Sequence, residues 1–352
     1  MITESHGNLL NAGTDALVNT VNTVGVMGKG IALQFKRAFP AMFKDYARAA
    51  KNGELQLGSM HVWPTQQLDG PRFIINFPTK AHWKSASRLA DIERGLDDLV
   101  RVIRALDIRS IAVPPLGCGN GGLDWKAVEP QIRAKLAPLV DVEVQLFSPA
   151  GAPAGETMRN AESRPTMTLG RAALIGLLAR YQQHATSEPS LIETQKLMYF
   201  LQLAGEPLRL DFVPHLFGPY ADNLRHVLRV VEGHFLSGYG DGATVVQQAE
   251  PLVLLPGAEV AARPILAAHP ETVERIERVL QLVEGFESAY ALELLATVHW
   301  VATHGDSSGA EEIIEAVRAW SPRKGRMFSA EHIRTALEAL RDRGWLGQLA
   351  PA

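Results

Sequence analysis

Three short stretches hold the residues best suited to chemistry. VNTVNTVGVMGKGI, residues 18–31, sets Asn19 and Asn22 ahead of Gly25, Gly28 and Gly30. NFPTKAHW, residues 76–83, presents Lys80, and PPLGCGNGGLDW, residues 114–125, carries Gly117, Cys118, Gly119, Asn120, Gly121 and Gly122. A glycine-rich loop that opens a helix binds anions, because its backbone N–H groups are bare and the helix dipole favours negative charge. The order here is G-x-x-G-x-G, the reverse of the dinucleotide fingerprint, and Lys29 is followed by Gly30 rather than the Ser or Thr of a P-loop. Both of those nucleotide motifs are excluded. Spacing alone leaves open a tight turn or a phosphate cradle of another kind; a second glycine-rich loop favours a diphosphate clamped from both sides.

Lys80 has two readings from its position. A lysine at the carboxyl end of a strand, among backbone donors, loses hydration and becomes a neutral amine more readily. The other reading is a surface lysine just beyond a strand. Cys118 has no general base nearby in sequence, so its backbone counts for more than its thiol. The histidines show no metal-ligand spacing. Trp83 and Trp125 flank the candidate loops and either stack a nucleobase or pack on the sheet. Lys84 and Arg88 suit nucleic-acid phosphates or plain solvation.

These loops need a scaffold, and the first 150 residues alternate strand-like and helix-like segments. Strands are predicted at Ala16–Val21, Met60–Trp63, Phe73–Phe77, Ser110–Pro114 and Val142–Phe147, with Phe77 closing its strand and Pro78 turning the chain. Amphipathic helices are predicted at Gly30–Lys51, Ala90–Leu106 and Asp124–Leu136. The expected class is α/β, with ligands outside the carboxyl ends of the strands. Residues 151–168, small, polar and proline-containing, read as a linker.

Residues 169–352 read as a second, mainly helical domain. Helices are predicted at Leu169–His184, Leu191–Ala204, Pro270–Gly285, Tyr290–Ala302, Glu311–Trp320 and Ser329–Arg343. Ser329 caps the last of these and Gly344 stops it. The His215–Val231 stretch is read as a FGPY turn leading into a helix. Thr244–Val246 and Leu252–Leu255 are weaker strand candidates.

Composition bounds the rest. With 352 residues, 46% hydrophobic and 21% charged, the chain suits two soluble domains. A single cysteine fits a reducing compartment. No apolar run reaches membrane-helix length and the N-terminus lacks a secretory pattern, so a cytoplasmic protein is expected. Residues 1–168 hold 19 Lys and Arg against 16 Asp and Glu, whereas residues 169–352 hold 16 against 22. Ten of those acids fall between Glu271 and Glu315, with only two arginines among them. The second half suits either a basic partner or an ordinary solvated set of helix faces; Arg318, Arg323, Lys324 and Arg326 form a local basic patch that would instead suit DNA.

Four motifs in order, GNLL at residues 7–10, DALVNTVNTVGVMGKGIALQFK, NFPTKAHW and PPLGCGNGGLDW, resemble the macrodomain family of ADP-ribose-binding modules. Most closely they resemble its DarG branch, antitoxins that partner DarT DNA ADP-ribosyltransferase toxins. The likeness covers residues 1–150. It implies a mixed sheet sandwiched between helices, with ADP-ribose across its carboxyl end. Asn8 and Leu9 would lie near the adenine, where the family usually has an aspartate at the Asn8 position, with Phe147 beside them. Asn22 would meet the distal ribose. Gly25, Met27, Gly28, Gly30 and Ile31 would hold one side of the diphosphate, and Gly117, Cys118, Gly119, Asn120, Gly121 and Gly122 the other.

Lys80 would be the catalytic residue, attacking the ribose or assisting departure of the base. Terminal ADP-ribose hydrolases of the family place an aspartate three residues after the loop cysteine; here that position is Gly121, and nearby Asp124 is read as a helix cap. The resemblance implies an antitoxin that removes ADP-ribose from a thymine base in single-stranded DNA by hydrolysing the N-glycosidic bond. It needs no cofactor and no metal, and residues 169–352 would bind the toxin. The alternatives are a non-catalytic ADP-ribose reader and a hydrolase acting on ADP-ribosylated protein.

Overall fold

Strand β2 (Ala16–Asn22) is buried over almost its whole length, and the first half of the chain is layered around it. Its side chains alternate between two apolar clusters, Ala16 and Val18 in one and Leu17 and Val21 in the other, as a strand's period of two requires. A sheet covered on both faces therefore needs a continuous apolar run, and ALV supplies it. Each fully buried Leu, Ile or Phe in such a layer contributes about 1.5–3 kcal/mol. The computed structural model describes residues 1–67, 69–151, 158–185, 187–242, 246, 249–305 and 309–346. Two units are distinct in it: Met1–Ser163 with Gly240–Thr244, and Arg164–Tyr239 with Val245–Ala352.

The first unit is a macrodomain fold. Besides β2, its strands are β1 (Ile2–Ser5), β3 (His61–Pro64), β4 (Phe73–Lys80), β5 (Ser110–Val113) and β6 (Glu143–Phe147). They form one six-stranded sheet in the order β1-β6-β5-β2-β4-β3. All pairings are parallel except β3 with β4. Parallel strands bring their carboxyl ends to one edge, so the loops after Asn22, Lys80 and Val113 emerge together. Helices α3 (Leu89–Ala105) and α4 (Trp125–Leu136) cover one face through Ile92, Leu96, Leu99, Val128 and Ile132. Helices α1 (Gly30–Ala38) and α2 (Pro40–Lys51) cover the other through Phe35, Met42, Tyr46 and Ala49.

Three local expectations change here. The predicted Gly30–Lys51 helix is two helices, because Pro40 lacks an N–H and starts α2 at its first turn, with Phe39 in a non-helical conformation before it. Pro78 is not a turn: β4 continues through it to Lys80. The proline is tolerated because β3 pairs β4 only as far as Asn76, and the β2 register slips between Val21 and Asn22 close by. The short edge strand β1 has no counterpart in the sequence reading.

The second unit is mainly helical: α5 (Leu169–Gln182), α6 (Leu191–Leu203), α7 (Leu224–Val231), α8 (Ala258–Ala267), α9 (Pro270–Val283), α10 (Ala289–His304), α11 (Ala310–Ala319), α12 (Pro322–Met327) and α13 (Ala330–Asp342). Helices α5, α6 and α10 are apolar over most of their circumference, which suits central positions in this core. Ser329 accepts from His332 N–H and Gly344 follows the helix with a left-handed φ of 71°. The FGPY segment is not a free turn. Its last three residues open strand β8 (Gly218–Ala221), paired antiparallel with β7 (Phe212–His215). A second small pair joins β9 (Leu236–Ser237) to β10 (Val253–Leu254), within the expected Leu252–Leu255 strand. Thr244 and Val245 of the other expected strand, and residues 152–157 of the expected linker, lie outside the described residues.

Candidate active site

Lys80 is the last residue of β4, half-buried, and its Nζ donates to the Asn120 carbonyl at 2.8 Å. Burial alone pushes its ammonium below the ordinary lysine range, and no carboxylate contributes to the shift. That single bond joins the strand-end lysine to the loop that follows β5. The Asn120 side chain in turn reaches the first loop: a Cβ on Gly30 would lie 3.0 Å from its Nδ2. Gly30 has φ of 62°, so the backbone there already favours glycine. Thr23 closes the circuit, its hydroxyl donating to the Ala81 carbonyl at 2.8 Å. Three loops separated in sequence thus meet around Lys80 and Asn120.

Helix α1 begins at that meeting point with no side-chain cap. The Gly30 N–H lies 3.4 Å from the carbonyl of Asp241, whose short segment groups with this unit. Gln34 donates to the Asp241 carboxylate at 2.8 Å.

Gly121 stands where related hydrolases of the resemblance carry an aspartate, and the structure gives the physical reason it cannot here. A Cβ at Gly121 would lie 2.3 Å from Ser87 Oγ and 2.4 Å from the Gly117 carbonyl oxygen. Ser87 N–H also donates to the Gly121 carbonyl at 2.9 Å, so Ser87 holds the second glycine loop closed. Its own hydroxyl is buried and has no partner among the described residues. Asp124 does not replace the missing acid: it caps α4, accepting from Lys126 N–H at 3.0 Å. Cys118 is half-buried, and burial, with Asp124 nearby, pushes its thiol up to about 11, so it stays protonated near neutral pH.

The two asparagines expected at the site both bond within their own loops. Asn22 accepts from Val24 and Val26 N–H at 3.1 and 3.2 Å and donates to the Val26 carbonyl at 2.6 Å. Its side-chain amide shapes the first loop. Tyr46 on α2 braces the same residue, donating to the Asn22 carbonyl at 2.5 Å. Asn8 accepts from Leu10 N–H at 3.0 Å and caps a 3-10 turn, Leu9–Asn11. Leu9, Met27 and Phe147 are buried in one apolar cluster, with Ile31 packed against it, so these four predicted residues do come together. Gly25 packs on α2, where a Cβ would lie 2.9 Å from that of Ala50.

Sequence reasoning missed Tyr46 and Ser87, which lie in no recognisable pattern, and Thr23, which lies within the first motif without being singled out. It also missed a buried polar row across the sheet: Asn19 donates to Asn76 at 2.8 Å, Asn76 lies 3.0 Å from His61, and His61 lies 3.2 Å from Asp45. Strand register puts Asn19, Asn76 and His61 side by side. Among the described residues no group of His, Cys, Asp or Glu could hold a metal, and no helix is long and apolar enough to cross a membrane.

In the second unit the acidic stretch is less of a surface than its composition implied. Glu293 is buried and bonded to Lys324 at 2.6 Å, with Arg323 on the same carboxylate at 2.6 and 3.2 Å. Glu311 pairs with Arg334 and Glu277 with Arg180, while Asp306 lies outside the described residues. Of the basic patch, Lys324 is fully buried and Arg323 is paired with Glu293, whereas Arg318 and Arg326 are exposed.

The Macro domain family model matches residues 18–132. A DNA ADP-ribosyl glycohydrolase of Mycobacterium tuberculosis is 47% identical over 351 residues, covering 97% of this chain and 99% of that protein. Another so named, from Thermus aquaticus, is 46% identical over 341 residues, covering 97% of this chain and 93% of its own length. A DNA ADP-ribosyl transferase-DNA ADP-ribosyl glycohydrolase fusion protein of Thermosipho africanus is 35% identical over 158 residues, which is 41% of this chain and 40% of the fusion.

Proposed function

The chain belongs to the DNA ADP-ribosyl glycohydrolase family of macrodomain proteins, and from that premise we propose that it releases ADP-ribose from a thymine base in single-stranded DNA while restraining the transferase that attaches it. The observation that carries the catalytic half is the convergence at Lys80: a lysine made less basic by burial, 2.8 Å from a loop carbonyl, between two glycine-rich loops. The loops hold the diphosphate through backbone N–H groups and thereby orient the distal ribose. Leu9, Met27, Ile31 and Phe147 offer the apolar end suited to adenine. Asn22 acts by shaping the first loop, and Gly121 by leaving room for Ser87.

Hydrolysis breaks the bond between C1″ and the base nitrogen, adds the hydroxyl of water to C1″ and returns the proton to the base. Lys80 is the group placed to act on that bond. A lysine acting as nucleophile would leave a covalent adduct that borohydride traps; one acting as proton donor would leave none. Lys80→Ala should bind free ADP-ribose like the parent yet fail to restore a modified single-stranded oligonucleotide to its unmodified mass. Full multiple turnover by that variant would sink the assignment. A reader without catalysis is the second reading, favoured by Gly121 standing in place of the loop aspartate, and the same mass measurement on the parent decides it.

Restraint of the toxin is assigned to residues 169–352, in keeping with the acidic second half and with a relative in which transferase and glycohydrolase share one chain. The full-length Lys80→Ala protein should then still suppress DNA labelling by the transferase, more weakly as salt rises. Suppression that disappears together with the lysine would remove this part.

A further inference from the structure

Beyond Lys80 the chain does not return at once to the core: residues 81–86 are all exposed before α3 begins. Trp83 lies in the middle of them, 49% exposed. The two other tryptophans of this unit behave differently, Trp63 and Trp125 both packing against apolar clusters. Trp83 instead lies between two polar neighbours. The His82 ring is 5.3 Å away, tilted by 31°, and Lys84 Nζ lies 4.8 Å from the indole centroid. Lys84 forms no ion pair among the described residues, whereas the neighbouring Arg88 and Arg94 are both engaged with Asp91.

The segment is not a loose tether. Thr23 holds the Ala81 carbonyl, Ser85 N–H donates to the His82 carbonyl at 3.0 Å, and Ser87 is bonded to Gly121. Both its ends are therefore fastened to the loops that form the site. An exposed indole so held, three residues from the reactive lysine and flanked by an imidazole ring and an ammonium, loses nothing by exchanging that solvated ammonium for a nucleobase. Stacking on a base is the stronger of the two contacts, and the displaced ammonium is then free for a phosphate.

We propose that His82, Trp83 and Lys84 form the platform for the nucleic-acid strand that carries the ADP-ribose, Trp83 stacking a base next to the modified one and Lys84 neutralising a backbone phosphate. This rests on the reading of the site as a DNA ADP-ribosyl glycohydrolase. It makes single-strandedness a property of the protein's own surface: an indole stacks only on a base whose face is free, and the faces within a duplex are already taken.

The test measures binding in the full-length Lys80→Ala protein, so that turnover does not consume the probe. The two probes are free ADP-ribose and an ADP-ribosylated single-stranded oligonucleotide. Adding Trp83→Ala should weaken the oligonucleotide by roughly tenfold and leave ADP-ribose unchanged, with Trp83→Phe recovering most of the loss. Lys84→Gln should lower the slope of log K against log salt by about 0.7 for the oligonucleotide alone. Equal weakening of both probes, or no effect of Trp83→Ala on the oligonucleotide, would overturn the platform. If the parent protein fails to release ADP-ribose from DNA, the catalytic reading fails, and this binding comparison still decides the platform independently.

Discussion

Two regions of this molecule strip a lysine of water, and they use it in opposite ways. In the first unit Lys80 sits half-buried at a strand end, its Nζ on a loop carbonyl at 2.8 Å, with an exposed segment beside it. In the second, Lys196 and Lys324 lie wholly inside the helical core. Lys196 bonds the Pro219 carbonyl at 2.5 Å, and Lys324 bonds Glu293 at 2.6 Å and Thr297 at 3.0 Å. Burial, reinforced by the neighbouring Lys324 charge, pushes Lys196 down to about 7. By acidity alone Lys196 would be a reactive amine. What separates the two is access: a ligand can reach Lys80, whereas the second cluster is closed off and joins the β8 strand to α6, α10 and α12. A perturbed lysine marks chemistry only where a cleft leads to it.

The comparison breaks most decisively at Lys80. Its replacement by alanine should lower ADP-ribose release by about 10²–10⁴-fold, while the unfolding midpoint moves little, as for a partly exposed side chain. Glu293→Gln should do the reverse. It leaves Lys324 and Arg323 without their shared counter-charge and should cost about 3–5 kcal/mol in denaturant unfolding of the second unit. Release of ADP-ribose, assayed below the transition, should persist. An unchanged unfolding curve would mean that the buried carboxylate does not hold this core.

Gly121→Ala sharpens the contrast on a smaller scale. Its methyl would overlap Ser87 Oγ and the Gly117 carbonyl, so the loop must shift at a cost of about 1–3 kcal/mol. Titration calorimetry should show weaker ADP-ribose binding, and Ser87→Gly in the same protein should recover part of it.

The comparison extends to the pH dependence of the second unit. Lys196 goes from about 7 when folded toward its ordinary 10.5 when unfolded, so across that window the unfolded chain binds more protons and stability rises with pH. Burial likewise pushes His299, bonded to Tyr199, from 6.5 down to about 4; stability is lost as pH falls through that range, because the unfolded imidazole takes its proton first. Lys196→Met should flatten the alkaline rise in melting temperature and leave the acid limb in place.

Legibility from sequence followed the range of the forces involved. Ser329 and Asp124 were readable as helix caps because a cap is satisfied within three residues. The alternation of β2, β4 and β5 with α3 and α4 was readable because side-chain period is a local property. Pro78 misled because its tolerance in β4 depends on where β3 stops pairing, at His61, well away in the chain. Glu293 misled because composition counts a carboxylate as surface, and only packing reveals that it neutralises two cations inside a core. Asn22 was found by its place in a motif, but its hydrogen bonds, which turn it inward, depend on the loop that it folds.

Residue order by itself determined that two glycine-rich loops and a lysine would follow three strands, and that those strands would be layered by helices. Glycine spacing and apolar period act within a few residues, so they are written in the chain. Tertiary structure decided that the three loops meet at Asn120, that Gly121 has no room for an acid, that Trp83 faces outward while Trp125 packs inward, and which buried lysine remains within reach. Each of these depends on which distant atoms occupy the same few ångströms, and parallel strand register and core packing settle that only once the sheet has formed.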